Sequence, residues 1–114
     1  MSFSGFSEKM PDDILGWSFG IDDDGLYLFE SYSPAGENLV IENTCSSPEK
    51  ALNEIKADVV REYENFDVDE HVDLWAGSRG ENGVPSTYRE LVEDAFAIEK
   101  MLEDLAIAVS QINL

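Results

Sequence analysis

A chain of 114 residues is the length of one domain, with enough material to bury a sizeable core. Its 43% hydrophobic content, with six Phe, four Tyr and two Trp, excludes intrinsic disorder, yet 25 acidic residues against seven Lys and Arg leave a net charge of −18. That field excludes direct binding to DNA, RNA or an anionic membrane, all of which need a positive surface, and makes a basic protein the natural complement.

In chain order, the opening MSFSGFSEKMPDD mixes Ser, Gly and Phe and reads as a loose arm over residues 1–12. It has no basic stretch leading an apolar one, so no secretory signal is expected. From Ile14 the pattern changes: Trp17, Phe19 and Ile21 alternate with Ser18, Gly20 and Asp22, the period of a half-buried strand. Asp22-Asp23-Asp24-Gly25 supplies hairpin chemistry, and the aromatic-rich Leu26–Ser33 is the second strand. Pro34-Ala35-Gly36 turns the chain again. Glu37–Thr44 is then a third strand, with Leu39 and Ile41 on one face and Val40 on the other. A three-stranded antiparallel meander over residues 14–44 follows. The single Cys45 excludes an internal disulfide framework and a multi-cysteine metal site, and it suits a reducing cytosol.

The second half is helical. Ser47, Pro48 and Glu49 form a helix start, and Ala51, Leu52, Ile55, Val59 and Tyr63 make an amphipathic stripe ending near Asn65. Asp67 caps a short second helix with Glu70 in the capping-box position; either Val68, Val72 and Trp75 or His71, Leu74 and Trp75 face inward. Gly77 and Gly80 stop it. Ser86 or Thr87 caps the longest helix, whose apolar face runs through Tyr88, Leu91, Val92, Ala95, Ile98, Leu102, Leu105, Val109 and Ile112. Glu90, Glu93, Asp94, Lys100 and Asp104 are placed on its other side. No apolar run approaches the ~20 residues that cross a bilayer. The expectation is one α+β domain spanning 1–114, a three-stranded antiparallel sheet packed against three helices within 48–112.

Catalytic and metal chemistry find little support. Aligning Gly25 with the sixth position of a calcium loop puts Gly20 first and Ser31 twelfth, where acidic ligands are required. Asp67, Asp69, His71 and Asp73 alternate along a helix, which points them apart rather than at one ion. His71 has Asp67 or Asp73 at hand to orient it as a general base, but no nucleophile motif accompanies it. Gly77, Gly80 and Gly83 lack the Lys-Ser/Thr of a phosphate loop, and Arg79 and Arg89 are expected to tie that loop to nearby carboxylates. The reading is of a protein with no catalytic residues, no metal and no cofactor. Tyr27 and Phe29 lie opposite Leu26 and Leu28, so a sheet covered on one side leaves an apolar patch for a partner or a second copy.

The acids remain. They are spread 7, 5, 8 and 5 over residues 1–30, 31–60, 61–90 and 91–114, so no tail accounts for them. A magnitude of about 2–8 suffices for solubility. Carboxylates fixed about 5–7 Å apart on strands and helices resemble the charge density of DNA. The candidate contact residues are Asp22, Asp23 and Asp24 at the hairpin tip, Glu62, Glu64, Asp67, Asp69, Glu70 and Asp73 on the helical side, and Glu90, Glu93 and Asp94 on the last helix.

The run FDVDEHVDLWAGSRGENGVPSTYRELVEDAFAIEKMLEDLA, with its flanks from Glu64 to Ala108, resembles a segment of short acidic proteins from phages and mobile elements of gut Firmicutes. The resemblance carries no catalytic residues. It implies a setting in the cytoplasm of a bacterial host, where small acidic proteins block defence nucleases. The expected function is a non-enzymatic nucleic-acid mimic of the anti-CRISPR or antirestriction kind, occupying the basic groove of a Cas effector or a restriction enzyme. The alternative is an adaptor module of the mobile element that binds through its sheet patch, with the acidity incidental.

Overall fold

The computed structural model describes residues 11–21, 23, 26–43, 48–81 and 84–112, with the backbone alone for 48–50 and 52. The architecture is α+β: a four-stranded antiparallel sheet in the order β1-β2-β3-β4, followed by three α-helices. The strands are β1 (Asp13–Ile14), β2 (Trp17–Ile21), β3 (Tyr27–Tyr32) and β4 (Asn38–Glu42). The helices are α1 (Pro48–Asn65), α2 (Val68–Trp75), which runs into a 3-10 turn over Ala76–Ser78, and α3 (Tyr88–Ser110).

The extra strand corrects the expected three. Residues 11 and 12, assigned to a loose arm, lead straight into β1, and the Phe19 amide donates to the Asp12 carbonyl at 2.8 Å. The β1–β2 hairpin pairs Asp13 with Ser18 and Ile14 with Trp17, leaving Leu15 and Gly16 as a two-residue turn. Both central residues have positive φ, 52° and 86°, the left-handed pair that matches strand twist. Leucine is a poor residue for that conformation, so the turn carries no Asn-Gly or Asp-Gly signature. The β3–β4 turn follows the usual chemistry: Pro34 and Ala35 bend the chain and Gly36, at φ 97°, completes it, its amide donating to the Ser33 carbonyl at 2.8 Å.

Register decides which sheet face is buried. Phe19, Phe29 and Ile41 lie opposite one another, as do Trp17 and Ile14, and this face packs on Ile55 and Val59 of α1 and Ile98, Leu102, Leu105 and Val109 of α3. Tyr27 and Phe29 are therefore core residues and not an exposed patch: Tyr27 stacks on Phe19 at a centroid separation of 5.3 Å, and Phe29 is tilted against it at 4.9 Å. The open face carries Leu28, Val40 and Tyr32 among Glu30, Asn38 and Glu42. Leu39 and Ile41 point in and Val40 out, as the alternation predicts.

A second, smaller core joins α2 to α3 through Val72, Leu91 and Ala95, with Val68, Trp75, Val84 and Val92 packed against it. Of the two faces open to α2 by sequence, the one with Val68, Val72 and Trp75 turns inward, and Leu74 is 71% exposed. Asp67 caps α2, accepting from the Glu70 amide at 3.2 Å, and Thr87 caps α3 through the Glu90 amide at 3.1 Å. Tyr88, assigned to the apolar stripe of α3, is exposed in the first turn, while Ile112 lies past the helix end and still touches the core. Among the described residues, no helix is long and apolar enough to cross a membrane.

Candidate functional site: an acidic corner beside an aromatic cleft

Carboxylates in this fold occupy three kinds of environment. Some are paired with cations: Asp58 with Arg61 at 2.7 Å, Glu93 with Arg89 at 3.2 Å, and Glu103 and Asp104 with Lys100 at 3.2 and 3.0 Å. Glu103 also accepts from the Tyr63 hydroxyl at 2.9 Å; that bond, together with Lys100, holds its carboxyl below the ordinary range, and the bond to Glu103 pushes the phenol up against the opposing effect of Lys100. The pairing takes Glu93 out of the set of free acids, and Glu90 is bonded to its own cap, Thr87 Oγ1, at 2.8 Å.

Asp94 is different again. It was expected on the solvent side of α3 as a contact residue, and it is only 6% exposed. Its two oxygens accept from the Ser33 hydroxyl at 2.9 Å and the Ala35 amide at 3.0 Å, so it pins the β3–β4 turn to α3. The cause is positional. Asp94 follows Leu91 by three residues and precedes Ile98 by four, on the flank of the apolar stripe, where the turn closes over it.

The third environment is the corner where α1 hands over to α2. Glu62, Glu64, Asp67, Asp69, Glu70 and Asp73 are all exposed, and no residue from 62 to 78 is Lys or Arg. Among the described residues, none of these six carboxylates has a cation within 4 Å. Glu62, Asp67 and Glu70 surround a shallow concavity of about 190 Å³ with Phe66, His71 and the exposed Leu74. Of the hairpin-tip candidates, Asp23 is exposed, and Asp22 and Asp24 lie outside the described residues, as does Cys45. Arg79 donates to the Ala76 carbonyl at 2.9 Å, a helix-end bond in place of the expected carboxylate.

Next to the corner, a cleft of about 280 Å³ opens between β4 and α2. Trp17, Ile98 and Leu102 are among its lining, with Phe66, His71 and Trp75 from the helical side and Glu37, Asn38 and Val40 from the strand. His71 sits 5.3 Å from the Phe66 ring and 6.4 Å from Trp75, centroid to centroid. The carboxylate facing it is Glu37, at 3.7 Å from Nε2, rather than Asp67 or Asp73. Burial holds the imidazole below its ordinary pKa, with Asp94 opposing in part; burial and then Asp94 push Glu37 up. The negative charge in the cleft is thus answered only weakly. No spacing could have announced Glu37 beside His71, because 34 positions separate them and a hairpin and two helices bring them together.

Among the described residues, the lining of the cleft and of the corner contains no Ser, Thr or Cys, and no group of three or more His, Cys, Asp or Glu is placed to hold a metal ion. What the site offers is a negative edge with no paired cation among the described residues and an aromatic recess beside it. Set against models of known protein families, curated proteins and solved structures, the chain matches none of them.

Proposed function

We propose that this protein is a non-enzymatic inhibitor that occupies the nucleic-acid groove of a basic host defence nuclease, a Cas effector or a restriction enzyme, in the manner of phage and mobile-element antagonists. The observation that carries the reading is the corner itself: six exposed acids around two consecutive helical segments, without a counter-ion among the described residues, while Glu93, Glu103 and Asp104 of α3 are paired with Arg89 and Lys100. Uncompensated like charges repel and cost stability, at about 0.2–0.5 kcal/mol for each i,i+4 pair such as Asp69 and Asp73. A solubilising surface is better served by interspersed signs. A groove that binds phosphates supplies the missing cations, and binding releases the ions condensed around them.

The test is competition. Purified Cas effectors and restriction nucleases are titrated with the protein, with and without duplex DNA. The expected result is mutually exclusive binding that weakens at least about tenfold between about 50 and 200 mM salt. Simultaneous binding of DNA and protein, or an affinity indifferent to salt, rejects the mimic.

One observation favours a second reading. The open sheet face exposes Tyr32 and Val40, at 61% and 45%, which is where an adaptor would bind with the acidity incidental. Reversing Asp22, Asp23, Asp24, Asp67, Asp69 and Glu70 to lysine separates the two. The mimic loses its target with its fold intact, whereas the adaptor is little changed.

A further inference from the structure

The sheet ends on β4, and the hydrogen-bond phase of that strand shows which of its groups are spent. The Asn43 amide donates to the Tyr27 carbonyl at 2.8 Å and the Ser33 amide to the Glu37 carbonyl at 2.9 Å. With Phe29 opposite Ile41 and Ser31 opposite Leu39, the odd-numbered residues of β4 are those that exchange bonds with β3. Asn38 and Val40 therefore direct N–H and C=O away from β3, and no backbone partner for these groups is found among the described residues. Proline, lysine or a bulge commonly blunts such an edge, and β4 (Asn38–Glu42) contains none.

The aromatic cleft runs alongside this edge, since its lining takes in residues 37 to 41 on one side and Glu62, Phe66, His71 and Trp75 on the other. A strand added to β4 would lie about 4.8 Å from it, and its side chains would alternate between cleft and solvent. Charge selects what enters. Glu37 and Glu62 contribute carboxylates to its lining. The described lysines and arginines are engaged elsewhere: Arg61, Arg89 and Lys100 with the acids named above, Lys56 with the Ile112 carbonyl at 2.7 Å, and Arg79 with Ala76. A guanidinium meets both demands, because its plane stacks on ring faces while its fork bonds carboxylates.

We propose that the free edge of β4 accepts an extended segment of a basic partner protein as a fifth strand, paired through the backbone of Asn38 and Val40, with an arginine of that segment seated in the cleft among Glu37, Glu62, His71 and Trp75. Main-chain bonds give such a contact its affinity and the pocket gives its selectivity. A second copy of this chain is a poor occupant, because two bodies of charge −18 repel. The inference rests on the proposed function only in requiring a basic partner.

The probe is a capped peptide, Thr-Val-Thr-Arg-Thr-Val-Thr, and its citrulline twin. On saturation with the arginine peptide, amide exchange at Asn38 and Val40 slows and tryptophan fluorescence, from Trp17 and Trp75 of the cleft, changes. The twin binds at least about tenfold more weakly, and Glu37→Gln lowers affinity for the arginine peptide by a similar factor. Val40→Pro removes one outward donor without touching the β3 ladder and abolishes binding while circular dichroism is retained. Slow exchange at both amides before any peptide is added overturns the proposal, as does unchanged exchange at saturation or equal binding of the two peptides. Failure here with DNA competition intact removes only strand addition; lost competition with peptide binding intact removes only mimicry.

Discussion

The same functional group does opposite work at two places about one helix apart. At the junction of the β3–β4 turn with α3, the Asp94 carboxylate is buried and satisfied by Ser33 and Ala35, and it serves the fold. At the α1–α2 corner, Glu62 to Asp73 stand in water with no cation among the described residues and contribute little to the fold beyond the Asp67 cap. A net charge of −18 does not distinguish them. Location does, and each acid must be judged by what its oxygens touch.

The largest expected effect bears on the corner. Lysine at Asp67, Asp69 and Glu70 together lowers affinity for a groove-binding target by about 100-fold or more, with no loss of Tm beyond that of the cap. Next comes the junction: Asp94→Ala leaves a hydroxyl and an amide unanswered and costs about 1–3 kcal/mol in chemical denaturation, with target affinity of the folded protein unchanged. A loss of affinity there would merge the two regions and dissolve the distinction. Asp67 belongs partly to both, so two substitutions split its roles. Asp67→Asn keeps the cap and reduces affinity alone, whereas Asp67→Ala also costs about 1 kcal/mol of stability.

Smaller effects sharpen the picture away from the corner. Leu15→Asn relieves a left-handed leucine and raises stability by about 0.5–1 kcal/mol, measured by denaturant midpoint. The least is in pH. Burial holds His71 below its ordinary value of 6.5, so the unfolded chain binds that proton first, and stability is lost as pH falls from 6.5 through the folded value. Glu37 works the other way, since its raised carboxyl relieves the fold as pH falls toward its ordinary 4.5. His71→Phe should therefore leave a protein whose Tm rises, rather than falls, on mild acidification.

Much of the fold was legible in the residue pattern because periodicity is local. The alternation around Phe29 and Ile41, the stripe of α1 and the caps at Asp67 and Thr87 all appear where spacing places them. The first strand was not legible, since Leu15-Gly16 turns the chain without turn-forming residues in both places. Asp94 was misplaced because polarity alone assigned it to solvent, and the donors that make its burial tolerable lie 61 and 59 residues away. The cleft was invisible for a like reason: Glu37, Glu62, His71 and Trp75 come from three separate segments. The acids from Glu62 to Asp73 could be marked from sequence, but that none of the described cations reaches them depends on where those few cations fold.

The small second core has a consequence for how such a molecule can change. α2 rests on Val72, Leu91 and Ala95, while the sheet, α1 and most of α3 share a separate and larger interior. Eight residues from Val68 to Trp75 can thus be rewritten at every outward position without disturbing that interior. On the proposed function, the body would be kept and this one short segment exchanged, much as a tool keeps its handle and changes its bit.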